Sequence, residues 1–231
     1  YLEAKLYGFT ALAPSSPTAH LRRDVPDAER LTRGPAYKNS EFEISDSKFS
    51  ASGGADWPTF RHDGQRSGAV KTAVGPTELK RTWTSKLGGK LSAPVAAGGK
   101  LFVASEDTHS VYALDAGTGE QVWSFTAGGR IDSPPTIWQG RALFGSADGH
   151  VYCLNASDGR LAWRYRAAPE DRRMMAFDQV ESVWPVHGSV LVQDNVLYCV
   201  AGRSMFLDGG LRLLRLDPKT GRKLSETILD D

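Results

Sequence analysis

Three tryptophans, Trp83, Trp123 and Trp163, stand forty residues apart, and the residues leading into the second and third repeat one another. Val111-Tyr-Ala-Leu-Asp-Ala-Gly-Thr-Gly-Glu-Gln-Val-Trp123 is answered by Val151-Tyr-Cys-Leu-Asn-Ala-Ser-Asp-Gly-Arg-Leu-Ala-Trp163. A unit of about forty residues rich in strand signals cannot bury its apolar face alone, so its copies must stack; that period is the mark of propeller blades. The expected fold is all-β, a β-propeller of four-stranded antiparallel blades, partial in this chain.

Each repeat divides into four short runs enriched in β-branched and aromatic residues and bounded by Gly or Asp. In the first copy these are Pro94 to Ala97, Lys100 to Ser105, Val111 to Asp115 and Gln121 to Phe125; in the second, Pro135 to Trp138, Ala142 to Ser146, Val151 to Asn155 and Leu161 to Tyr165. The third copy keeps Val196 to Ala201, Leu211 to Asp217 and the turn Pro218-Lys-Thr-Gly221, but Gly221 follows Gly159 by 62 residues instead of forty. The extra residues lie at 168–187, before the first strand of the blade, and at 203–210, between its second and third strands. The expected blades are 83–126, 127–166 and 167–227.

The turn residues have structural reasons. Asp115, Asn155 and Asp217 can bond their own downstream backbone, and Gly119, Gly159 and Gly221 can take positive φ without steric cost. The tryptophan that follows is large enough to cover the seam between neighbouring blades.

Outside the repeat, residues 1–14 read as a strand of an upstream blade or domain. Residues 15–55, rich in Ser, Pro, Gly and alternating charge, read as a linker or surface loop, with at most one helical turn at Asp27-Ala-Glu-Arg-Leu. The propeller segment is expected over 56–231. Its opening stretch, Asp56 to Gly68, has Trp57 and Phe60 as apolar anchors, while Pro58 and its glycines forbid a long regular element. Arg61, His62 and Asp63 there are better explained by fixing the start of a domain than by catalysis.

Net charge is +1, so no global field draws the chain to nucleic acid or anionic lipid. No apolar run approaches the roughly 20 residues of a membrane span. Cys153 and Cys199 both lie in apolar strand patterns and are expected as free, buried thiols rather than a bridge. The chain opens at Tyr1 in mid-pattern, without an initiator Met or a signal peptide, and is expected to be a piece of a longer polypeptide.

Ala113-Leu-Asp-Ala-Gly-Thr-Gly-Glu-Gln-Val-Trp123 resembles the tryptophan-docking repeat of the quinoprotein (pyrroloquinoline quinone, PQQ) alcohol dehydrogenases and their PQQ-like propeller relatives. Asp56-Trp-Pro-Thr-Phe-Arg-His-Asp-Gly64 resembles the usual opening of such domains in bacteria, and the order of segments from Tyr1 on looks similar to large exported bacterial proteins. The resemblance implies seven or eight blades in a full-length relative, and export to the periplasm or cell envelope. It also implies two functional branches. Quinoprotein dehydrogenases carry a vicinal cysteine pair, a calcium or lanthanide site and a catalytic aspartate; here the cysteines are 46 residues apart and no residue matches those roles. The other branch resembles the outer-membrane assembly propeller lipoproteins, which bind partner proteins and carry no cofactor.

The expectation is therefore a non-catalytic scaffold or binding module for a protein or polar ligand, with no cofactor in this segment. The alternative is part of a PQQ- and calcium-dependent dehydrogenase oxidising alcohols or sugars. Connections in a four-stranded blade alternate between its two faces, so the insertions 168–187 and 203–210 fall on the same face, where function concentrates on a rigid scaffold. The candidate residues of that face are Arg172, Arg173, Glu181, Trp184, His187, Arg203 and Asp208, with Glu106, Asp107 and Asp148 nearby. Met174, Met175, Met205 and Phe206 are expected to plug the loop cores.

Overall fold

The structure, a computed structural model, describes residues 25–37, 56–70 and 80–230; the strand expected over 1–14 lies outside them. A single helical turn, α1 (Asp27–Arg30), runs directly into β1 (Leu31–Arg33). One four-stranded antiparallel sheet follows from β2 (Val95–Ala97), β3 (Lys100–Ser105), β4 (Ser110–Asp115) and β5 (Gln121–Thr126). A second comes from β6 (Thr136–Trp138), β7 (Arg141–Gly145), β8 (His150–Asn155) and β9 (Leu161–Arg166). The hairpin β10 (Arg173–Ala176) and β11 (Gln179–Ser182) stands by itself. The third sheet is β12 (Leu191–Gln193), β13 (Val196–Ala201), β14 (Leu211–Leu216) and β15 (Lys223–Leu229). This is the partial β-propeller that the repeat predicts.

The sheets stack through two apolar layers. Phe102, Ala104, Val111 and Ala113 of the first sheet meet Ile137, Ala142, Phe144 and Tyr152 of the second. Leu143, Val151 and Cys153, on the opposite side of the second sheet, meet Leu197, Cys199, Leu214 and Leu216 of the third. Successive side chains of a strand point to opposite faces, so the middle sheet must be apolar on both, and β7 is buried at every position. Both cysteines are free and buried, and desolvation pushes each thiol up to about 12.

The period in the sequence is a physical fastener. The indole N–H of Trp83 donates to Ala116 O (3.1 Å), that of Trp123 to Ala156 O (3.1 Å) and that of Trp163 to Pro218 O (3.3 Å). Each indole lies on the glycine of the same turn: a Cβ added at Gly119, Gly159 or Gly221 would come within 2.4 to 2.7 Å of it. The turns are closed as their residues suggest. Asp115 Oδ1 accepts from the N–H groups of Gly117 and Thr118, Asn155 Oδ1 from Ser157, and Asp217 Oδ1 from Lys219 and Thr220.

Two readings of the chain outside the repeat change. Within the stretch read as a linker or surface loop, Leu31–Arg33 is a strand that pairs antiparallel with β9 and extends the second sheet to five strands. Burial decides this locally: Leu31 lies against Trp163 and Gly221 at the seam between the second and third sheets. Arg30 is buried, donating to Arg166 O, Ala167 O and Glu226. Phe60, read as an anchor, is exposed under the Arg66 guanidinium. The anchoring of that segment is done by Trp57, bonded to the Ala96 backbone, and by buried Thr59, whose hydroxyl meets Thr136. Asp63 is a turn carboxylate held at about 2 by hydrogen bonds from the Ser67 side chain and backbone.

Candidate binding face

In each sheet the first-to-second and third-to-fourth strand turns are short and share one face. Three are two-residue hairpin turns with positive φ at both positions: Gly98-Gly99, Gln139-Gly140 and Asp194-Asn195. The opposite face collects the remaining connections, which a continuous set of backbone bonds joins. Ala147 N donates to Arg130 O, Ser182 N to Ala147 O, Val186 N to Ser146 O and Gly202 N to Pro185 O. The insertions 168–187 and 203–210 both belong to this face.

They meet there. Arg172 pairs with Asp208 and stacks over the Trp184 ring at 4.9 Å, and the Trp184 indole N–H donates to Asp208 O at 3.1 Å. Arg203 pairs with Glu181, whose other carboxylate oxygen accepts from Arg130 Nε at 2.9 Å. Five of the seven candidates, Arg172, Glu181, Trp184, Arg203 and Asp208, are thereby knit into one junction between the hairpin and the 203–210 loop. The other two stand apart. Arg173 is exposed and bonds Asp171 (3.0 Å), and His187 Nδ1 meets Asp132 Oδ2 at 2.7 Å. Burial would raise the Asp132 carboxyl, but the hydrogen bonds from His187 and Gly188 outweigh it and hold it below the ordinary carboxylate range.

Glu181 is 1% exposed and Trp184 is buried, so these two build the face rather than present it. Glu106 and Asp107 are likewise engaged, with the Lys90 ammonium and the Lys90 N–H. Asp148 accepts from the Tyr152 hydroxyl at 2.5 Å.

What the face presents is apolar. The β10–β11 turn is Phe177-Asp178, both at positive φ, and Phe177 is 69% exposed with the Arg130 guanidinium 4.4 Å over its ring. A bulky residue at φ +50° is unfavourable in its own right, so the surroundings must hold it. Met175 and Val180 are cross-strand partners on the outward side of the hairpin, each about half exposed. Gln179, on the other side, bonds His109 at 2.7 Å. Met205, Phe206 and Leu207 are also exposed. The methionines and Phe206, expected to plug the loop cores, are exposed instead; Trp184 is the buried side chain of that junction, and the hairpin pairs with no further strand among the described residues. Arg130, His109, Gln179 and Phe177 were not singled out from sequence. The four-residue runs on either side of Phe177-Asp178 were the available sign of a hairpin.

Among the described residues no three His, Cys, Asp or Glu side chains converge as a metal site requires. The cysteines are buried in two different sheets and unsuited to a reactive pair. None of the described helices is long and apolar enough to cross a membrane.

The fold and its tryptophan-fastened sheets define a PQQ-like β-propeller repeat protein. The chain belongs to the PQQ_2 family, described as outer membrane protein assembly factor BamB, whose model matches residues 66–230. A search of curated proteins gave no match. Among solved structures, a europium-containing methanol dehydrogenase matches with TM-score 0.59 at 18% identity, over 80% of this chain and 33% of its own. The quinohemoprotein alcohol dehydrogenase of Comamonas testosteroni matches with TM-score 0.60 at 18% identity, over 84% and 30%. BamB of Moraxella catarrhalis matches with TM-score 0.41 at 20% identity, over 63% and 51%. The chain therefore spans about a third of those enzymes, and the likeness is one of fold.

Proposed function

We propose that the chain is a non-catalytic propeller module that binds a partner protein through the face carrying both insertions, in the periplasm or cell envelope. The observation that carries this reading is the β10–β11 hairpin. It is braced at its base by Glu181 between two arginines, and it holds Phe177 outward in an unfavourable backbone conformation. The charged residues of the junction are paired with one another, so the affinity the face offers lies in Phe177, Met175, Val180, Phe206 and Leu207. Apolar anchors rimmed by paired charges suit a protein surface better than a polar small molecule. The description of the family as an outer membrane protein assembly factor supports a protein partner and that compartment.

The test is site-specific photo-crosslinking in cells from position 177 or 206, with position 118 on the opposite face as control. A discrete protein adduct from the loop-rich face alone is expected, and Met175→Ser with Val180→Ser should abolish it without changing the melting temperature. Tight binding of PQQ with calcium, with dye-linked alcohol oxidation, would overturn the reading in favour of a dehydrogenase.

A further inference from the structure

A second surface lies on the outer rim, away from the loop-rich face. There β1 is the edge strand of the five-stranded sheet, and a cleft of about 700 Å³ separates it from the start of β15. The main-chain groups of Gly34 and Ala36 turn inward, donating to Ala162 O and Leu161 O of β9. By the alternation of an antiparallel ladder, Thr32 also faces β9, while the N–H and C=O groups of Leu31 and Arg33 point away from β9 toward the outer edge of the sheet, beside the cleft. Among the described residues no strand pairs with β1 on that side, and an open strand edge of this kind is a template for another extended chain.

The charge of the cleft says what kind of chain. Arg33, Arg222 and Lys223 line it against a single carboxylate, Asp27. Lys223 is shared between Asp27 (2.7 Å) and Glu226 (3.1 Å), so that acid is already engaged. The Arg33 guanidinium lies over the Tyr37 ring at 4.6 Å; neither Arg33 nor Arg222 has a carboxylate partner among the described residues, and the two residues belong to opposite walls of the cleft. Tyr165 forms part of the wall, and its buried hydroxyl has no hydrogen-bond partner. Backbone donors and acceptors along one edge, with two arginines lacking carboxylate partners beside them, match an extended peptide with alternating carboxylates.

We propose that the free edge of β1 accepts an acidic extended segment of a partner polypeptide as a sixth strand, its carboxylates held by Arg33 and Arg222. This site is independent of the loop-rich face and stands or falls without it.

The probe is a fluorescein-labelled Glu-Val-Glu-Val-Glu peptide titrated with the chain by fluorescence anisotropy. Saturable binding is expected, weakened at least tenfold by the double substitution Arg33→Ala and Arg222→Ala. Both arginines are exposed, so the melting temperature of that variant should stay unchanged. The same peptide N-methylated at alternate backbone amides should also lose at least tenfold, because it cannot pair with an edge. Inorganic phosphate alone should not compete at equal ionic strength. Equal binding of the N-methylated peptide, equal binding of Lys-Val-Lys-Val-Lys, or no binding of the acidic peptide at about 1 mM would each overturn the proposal. Displacement by phosphate alone would overturn it too, leaving a simple anion site.

Discussion

Trp83, Trp123 and Trp163 make the same hydrogen bond to the same turn, yet their surroundings differ, and that difference predicts unequal effects on stability. Trp163 is 0% exposed, closed in by the third sheet and by Leu31; Trp123 is 7% exposed; Trp83 is only half-buried, on an extended stretch outside any described sheet. Truncating a fully buried tryptophan to alanine removes its transfer free energy and leaves a cavity, together about 3–5 kcal/mol. The loss at Trp163 should reach the top of that range, because Pro218 O also loses its donor, worth about 1 kcal/mol. At Trp83, which is only partly buried, Trp83→Ala should cost only about 1–2 kcal/mol. Urea unfolding followed by fluorescence and circular dichroism measures all three, with an unchanged m-value as the check that only the folded state is affected. Gly221→Ala supplies an independent arm: its Cβ would sit 2.6 Å from Cδ2 of Trp163, at a backbone φ of +71°. Combined with Trp163→Ala it should cost clearly less than the sum of the two, since the indole it strikes is gone. Equal losses at Trp83 and Trp163, or strict additivity of the Gly221 pair, would refute the account of these residues as seam fasteners.

Two further substitutions probe charges the fold encloses. Glu181→Ala leaves Arg130 and Arg203 facing each other without their acid; breaking a buried pair costs about 3–5 kcal/mol, and the partial exposure of Arg203 argues for the lower end. Hydrogen exchange should show the β10–β11 hairpin opening first in that variant, and an undisturbed hairpin would show that it does not rest on this junction. Glu226 makes stability depend on pH. Burial would raise its carboxyl, but hydrogen bonds from Arg30, Arg212 and Lys223 outweigh that and hold it at about 2, below its ordinary 4.5. A carboxylate depressed in the folded state stabilises fully above pH 4.5 and loses that contribution as pH falls toward 2. The whole shift corresponds to about 3 kcal/mol, which solvent screening at this partly open site reduces to about 1–2 kcal/mol. The stability difference between the wild-type chain and Glu226→Gln should shrink over that window; a difference constant with pH would remove Glu226 as its source.

What could be read in the chain divides by the range of the forces involved. The strands, turns and fasteners were legible because each depends on residues within one repeat: a side chain that bonds its own turn, a glycine that must take positive φ, an alternation that buries one face. The gathering of the insertions on one face was legible too, since it follows from strand order alone. The pairing of Leu31–Arg33 with β9 was not. Three residues with one apolar side chain carry no strand signal, and their partner lies more than a hundred residues away; the seam beside Trp163 that selects them exists only once the sheets have stacked. For the same reason residue type alone left the binding face open between packing, as with Trp184 under its own loop, and recognition. Glutamate and tryptophan resemble recognition residues, yet Glu181 and Trp184 are the two most enclosed members of that junction, while the methionines and Phe206, expected inside, stand out from it. An inserted loop on a complete scaffold must bring its own core, and here a tryptophan and a clamped glutamate serve as that core. The residues left over, apolar and held outward, are the ones such a loop was free to devote to a partner.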